Sequence, residues 1–182
     1  MSKTLARWTV ADYHRMISSG LLMGRQVELV NGEIVDMAPE LPIHRATYRR
    51  GVKYLEALLG DRAVVFAAAP VTLPNDGEPQ PDISIVAPPE SRYDARHPGP
   101  NDIYWLIEVA NTSLTYDLSE KAQAYARDGI QDYWVLDIAG QQLWVHPKPA
   151  GNQYRSVQAL KAGVITPLAL PQVTVQIERL LP

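Results

Sequence analysis

Ile103-Tyr104-Trp105-Leu106-Ile107-Glu108-Val109-Ala110, then Asp117-Leu118-Ser119-Glu120-Lys121-Ala122-Gln123-Ala124-Tyr125-Ala126-Arg127-Asp128-Gly129, then Asp132-Tyr133-Trp134-Val135-Leu136-Asp137-Ile138: these three runs decide the fold. The first is apolar almost throughout, as expected of a strand covered on both faces. The second reads as a helix over 117–128 that ends at Gly129, with Leu118, Lys121 and Tyr125 on one stripe at i, i+3 and i+7. The third is again a strand, followed by Ala139-Gly140 and a partner strand over 141–146.

Working outward, residues 81–87 form a further apolar strand stopped by Pro88-Pro89, and residues 63–69 another. Residues 91–101, with their prolines and mixed charges, read as an exposed loop. Residues 42–60 read as a helix, since Ala46, Val52, Leu55, Leu58 and Leu59 recur near helical spacing and Gly60 can end it. Upstream, Glu28-Leu29-Val30-Asn31-Gly32-Glu33-Ile34-Val35 is a hairpin signal, because Asn-Gly suits the turn between two alternating strands. Thr9 and Asp12 read as the cap of a first helix that stops at Gly20. The tail holds short strands over 154–160 and 173–175 and a short helix over 176–181. Strands interleave with two long helices, so the class is α/β (α+β), a mixed central sheet flanked by helices, in a single domain over 1–182.

Composition narrows the chemistry. With no cysteine, disulfides and thiolate metal sites are excluded. Residues 1–10 lack an apolar run and no segment is long and apolar enough for a membrane span, so a cytoplasmic protein is the expectation. The formal charge of −3 runs against the basic excess of a dedicated nucleic-acid binder. It leaves room for a nucleic-acid enzyme, because metal-holding carboxylates lower the total while a local basic patch persists. His44, Arg45, Arg49, Arg50 and Lys53 form one such patch, or simply a solvated helix face.

Two acids stand inside apolar strands, Asp82 in Pro81-Asp82-Ile83-Ser84-Ile85-Val86 and Glu108 in the first run above. A carboxylate there is costly unless something pairs with it. A hard divalent cation is one suitable partner, an Arg or Lys another. If the two strands are neighbours, Asp82, Ser84 and Val86 share one face of theirs and Tyr104, Leu106 and Glu108 one face of the other, so both acids can project from one sheet end. Lys121 either pairs with Asp117 four residues before it on an exposed face or reaches Glu108. His44 opens the long helix and can join the site. Glu28 and Glu33 read as exposed hairpin charges, and His97 and His146 as loop or edge residues. There is no Gly-rich phosphate loop, no Gly-x-Ser-x-Gly elbow and no His-x-x-x-His pair on a helix.

The order of these motifs is specific. The Glu-Leu-Val-Asn-Gly-Glu-Ile-Val hairpin is followed by a helix beginning near His44, Pro81-Asp82, Glu108-Val109, Asp117-x-x-x-Lys121-x-x-x-Tyr125-x-x-x-Gly129 and Asp132-Tyr133-Trp134-Val135-Leu136-Asp137. Over about 9–181 the chain resembles the Uma-type restriction endonuclease family of the PD-(D/E)XK nuclease superfamily. The resemblance implies a restriction-endonuclease-like core of helix, three strands, helix and strand. It implies Mg²⁺, or Mn²⁺, held by Asp82 and Glu108, hydrolysis of phosphodiester bonds in DNA, and catalytic roles for Asp82, Glu108, Lys121 and His44. The family motif places a lysine two residues after its acid, where this chain has Ala110, and Lys121 is the residue that matches the displaced lysine. The alternative is a nuclease-fold module without activity that binds nucleic acid or protein. A homodimer is a further expectation, with Tyr133, Trp134 and Trp144 either forming its apolar face or packing in the core.

Overall fold

The computed structural model describes residues 5–182. Helix α1 (Val10–Ser18) starts at the Thr9 cap, where the Thr9 hydroxyl accepts from the Asp12 amide and the Asp12 carboxylate accepts from the Thr9 amide. A hairpin follows, β1 (Val27–Val30) and β2 (Glu33–Asp36), in register from Val27 opposite Asp36 to Val30 opposite Glu33. Its turn needs positive φ at both central residues, and Asn31 and Gly32 sit at 53° and 73°.

Helix α2 (Pro42–Leu59) leads to β3 (Val64–Ala67), β4 (Ile83–Val86) and β5 (Ile103–Ala110). A continuous helical segment follows, made of α3 (Leu114–Tyr116), a π turn over Asp117–Lys121 and α4 (Ala122–Arg127). Strands β6 (Asp132–Asp137) and β7 (Gln142–Pro147) come next, then a small hairpin of β8 (Pro149–Ala150) and β9 (Gln153–Tyr154), and β10 (Gln158–Leu160). Strands β11 (Val164–Ile165) and β12 (Val175–Gln176) pair with each other, and a short 3-10 turn over Ile177–Arg179 follows.

The six-stranded sheet runs β10-β7-β6-β5-β4-β3. Only β5 and β6 are parallel, and the helical segment α3–α4 is their connection. A parallel pair requires such a crossover. One face packs on α2, where Tyr54, Leu55 and Leu59 meet Ile83, Ile85, Trp105, Ile107 and Trp134. Each such side chain contributes about 1.5–3 kcal/mol on burial. The other face packs on α4 through Leu106, Ala110, Tyr125, Tyr133 and Val135. Gly51 lets α2 lie close on β4: a Cβ there would stand 3.1 Å from the Ile83 side chain, which would have to give way to a larger residue.

The structure corrects several sequence expectations. The helix carrying Lys121 begins at Leu114, not at Asp117, and is not regular over 117–128, because a π turn is inserted at Asp117–Lys121. Asp82 precedes β4 rather than lying within it. His146 is no edge residue: it is buried on β7 between the rings of Tyr133 and Tyr154. Tyr133 and Trp134 are fully buried, so core packing accounts for them and they offer no dimer face. The loop over 91–101 is mostly exposed, as expected, and Arg92 and Arg96 both bind the buried Asp102 carboxylate. Among the described residues no helix is long and apolar enough to cross a membrane.

Candidate active site

Strand register sets the first two acids. Ile83 lies opposite Ile107 and Ser84 opposite Leu106, so one further step brings Asp82 opposite Glu108. Asp82 sits at the lip of the sheet with 17% of its side chain exposed. Its Oδ2 accepts the Val109 amide at 2.7 Å and lies 3.2 Å from His44 Nε2. His44 stands on the first turns of α2, and the hydrogen bond to Asp82 raises its pKa against the opposing effect of burial. The acid and the helix start are thereby tied together.

Glu108 lies deeper and is buried. Its Oε1 accepts from Lys121 Nζ at 2.9 Å and from the Tyr125 hydroxyl at 2.8 Å. Lys121 is buried too, and its ammonium lies 3.1 Å from Glu28 Oε1 on β1. The second Glu28 oxygen accepts the Gln80 amide at 3.0 Å. Burial pulls the Lys121 pKa down, but Glu108, Glu28 and Asp117 together override it and hold the ammonium charged. Burial lifts Glu108 above the usual carboxylate range; Lys121 opposes this, while the charges of Asp117, Asp82 and Glu28 add to it. The Lys121 ammonium thus lies within ion-pair distance of two carboxylates, Glu108 and Glu28.

The π turn places these groups. One inserted residue in a helix changes the direction of the side chains that follow it. Here both Lys121, at the end of the turn, and Tyr125, one turn later, reach the same Glu108 oxygen. Asp117, read from the sequence as an exposed partner of Lys121, is buried and accepts from Ser113 Oγ, and burial pushes its pKa up to about 6. Glu28 is the residue sequence reasoning missed. It was read as a solvated hairpin charge, yet β1 is buried along its length and Glu28 is 5% exposed. The signal available was an acid within an apolar strand, the same one that marked Asp82 and Glu108. Glu33 is indeed exposed and pairs with Arg7, and His97 is exposed. Beside the hairpin an open cleft of about 600 Å³ is bounded by Asn31, Glu33, Tyr116, Glu120 and Arg127. Burial and then the Glu28 charge raise the Tyr116 pKa, so this wall adjoins the site.

Asp82 Oδ1 and Glu108 Oε2 accept no hydrogen bond among the described residues, so each acid keeps one oxygen for a cation. Mg²⁺ or Mn²⁺ fits this donor set, because a hard ion needs one or two carboxylates and keeps several waters. A closed protein cage is not formed: among the described residues no group of three or more His, Asp or Glu side chains is placed to hold an ion.

Comparison with known proteins follows the same lines. Residues 10–178 match the Uma2 family, described as "Putative restriction endonuclease". A crystal structure described as a "putative nuclease belonging to DUF820" from Anabaena variabilis ATCC 29413 superposes with a TM-score of 0.63 at 18% identity, covering 85% of this chain and 88% of that one. At that identity the likeness establishes a shared fold. No curated protein matches.

Proposed function

The chain belongs to the Uma2 family, and from that premise and the geometry at the sheet end we propose that it is a metal-dependent nuclease that hydrolyses phosphodiester bonds of nucleic acid, with DNA as substrate. The observation that carries the reading is the buried Lys121 ammonium held between Glu28 and Glu108, next to an Asp82 carboxylate fixed by a backbone amide.

Asp82 and Glu108 would hold the ion through the oxygens not engaged in hydrogen bonds. A bound Mg²⁺ or Mn²⁺ supplies Lewis acidity and a water of lowered pKa. The protein's own groups do the rest. The Val109 amide fixes Asp82, and the Tyr125 hydroxyl fixes Glu108, so neither carboxylate must be ordered when substrate arrives. Lys121 carries a permanent positive charge at 2.9 Å from Glu108, suited to stabilising negative charge that grows on a phosphate. Its position supports the reading that it substitutes for the lysine missing at Ala110, which is buried in the sheet two residues beyond Glu108. His44, with a raised pKa, is placed beside Asp82 to give a proton or steady a phosphate oxygen.

The test is cleavage of plasmid and linear DNA with Mg²⁺ or Mn²⁺ by the wild type and by Asp82→Ala. Cleavage by the wild type and its loss in Asp82→Ala supports the proposal. Equal cleavage by both removes Asp82 from the chemistry, and no cleavage of DNA or RNA by the wild type favours an interaction module on the same fold.

A further inference from the structure

We infer that the solvent face of α2 is a docking track for the phosphodiester backbone of the nucleic acid, leading to the site at its N-terminal end. This rests on the nuclease reading and adds the surface by which the substrate is held.

The face follows from helical geometry. Thr47, Gly51, Tyr54, Leu55 and Leu59 turn into the sheet, which leaves Arg45, Arg49 and Lys53, at steps of four, on one exposed ridge, with Arg50 beside it. At 1.5 Å per residue the part of the ridge from Arg49 to Lys53 is about 6 Å long. That matches about two nucleotide steps of a duplex strand at 3.4 Å each. The helix carries four arginines and lysines against one carboxylate, Glu56, in a chain whose formal charge is −3.

Charge complementarity selects the occupant. The site collects the carboxylates of Glu28, Asp82, Glu108 and Asp117 around one buried lysine and His44, so it repels a polyanion unless cations nearby draw it in. The arginines bordering the neighbouring cleft are already neutralised, Arg7 by Glu33 and Arg127 by Asp128. On the ridge Arg45 is already bound to Glu40 at 2.6 Å, whereas Arg49, Arg50 and Lys53 make no ion pair among the described residues and carry its free positive charge; Arg50 only donates to the Leu181 carbonyl at 3.4 Å. The same helix brings His44 to 3.2 Å from Asp82, so the ridge and the site are joined by one rigid element.

The experiment measures binding of a short DNA duplex by fluorescence anisotropy across salt concentrations, with Ca²⁺ in place of Mg²⁺, alongside plasmid cleavage with Mg²⁺. The proteins are the wild type, Arg49→Glu/Lys53→Glu, and the control Arg155→Glu/Lys161→Glu, which changes net charge equally at exposed positions elsewhere. Removing two phosphate contacts lowers the slope of log affinity against log salt by about 2, with affinity down about tenfold or more near physiological salt. The control keeps wild-type binding. Wild-type DNA cleavage with unchanged binding in Arg49→Glu/Lys53→Glu, or an equal loss in the control, overturns the track and leaves the nuclease reading standing. A wild type that neither binds nor cleaves overturns both.

Discussion

Lys121 Nζ stands 2.9 Å from Glu108 Oε1, a buried ion pair between a strand and the helix that follows it, thirteen residues apart. Breaking a buried pair from one side leaves an uncompensated charge and costs about 3–5 kcal/mol. Lys121→Met would strand both Glu28 and Glu108, so thermal or denaturant unfolding should register a loss of that size at neutral pH, together with loss of cleavage. A Lys121→Met protein as stable as the wild type would mean that the ammonium is not the partner of these acids.

The two carboxylates on Lys121 should behave as partial substitutes. Glu108→Gln mimics the protonated acid that burial favours and leaves Lys121 paired with Glu28, so it is expected to cost about 1 kcal/mol or less. Glu28→Gln leaves Lys121 paired with Glu108. The double variant leaves the buried ammonium with only the more distant Asp117 charge, and its destabilisation should exceed the sum of the singles by about 1–3 kcal/mol. Additive losses in urea unfolding would contradict this coupling.

Tyr125→Phe removes one hydroxyl that donates to Glu108 Oε1 at 2.8 Å. A buried hydrogen bond contributes about 0.5–1.5 kcal/mol to a neutral acceptor and more to a charged one, so stability should drop by about 1 kcal/mol or more. The turnover rate should fall less than in Asp82→Ala, since Tyr125 positions an acid and does not itself meet the substrate. A steady-state comparison of kcat for the two variants checks the order.

Burial pushes His146 down to about 4 from 6.5. Between those values the unfolded chain takes up a proton that the folded chain refuses, so the contribution is complete above about pH 6.5 and is lost as pH falls toward 4. It amounts to at most about 3 kcal/mol at 1.36 kcal/mol per pKa unit. Asp117 and Asp132, each raised to about 6 by burial, run the opposite way over the same range and together outweigh it in the wild type, so the effect of His146 shows only in the difference between variants. His146→Phe retains the ring between Tyr133 and Tyr154 and should be the more resistant to mild acid. Parallel stability curves from pH 7 to 4.5 would refute the assignment.

The tight turn at Asn31-Gly32 ends β1, the strand that carries Glu28. A Cβ at Gly32 would stand 2.9 Å from Arg7 Cβ and 3.2 Å from the Trp8 carbonyl, at a φ of 73° that side chains rarely adopt. Gly32→Ala is expected to cost about 1–3 kcal/mol and to weaken activity by displacing β1. Unchanged melting and unchanged cleavage would mean that β1 tolerates the shift.

Most of this architecture is legible in the chain because the relevant signals are local. Alternation around Asn31-Gly32, the apolar run before Glu108 and the Thr9 cap each act over a few residues, and the matching elements are present. Asp82 and Glu108 stood out because a charge in an apolar strand requires an explanation. Three features were not legible. The π turn at Asp117–Lys121 depends on how the helix must seat Lys121 and Tyr125 on one oxygen, which no spacing rule encodes. Glu28 alternates with Leu29 as a half-exposed strand would, and only the docking of the hairpin onto 78–80 buries it. His146 lies on a strand whose edge is covered by residues that come later in the chain, β10 and Tyr154. Each of the three is a tertiary effect, and sequence patterns report tertiary effects poorly.

The central claim is that Asp82 and Glu108 form one cation site beside Lys121. Titration of the purified protein with Mn²⁺, followed by electron paramagnetic resonance, tests it without reference to activity. One ion per wild-type chain is expected, with affinity reduced about tenfold or more in Asp82→Ala and in Glu108→Ala and retained in Glu33→Ala. Equal Mn²⁺ affinity in the wild type and in both carboxylate variants would contradict the site.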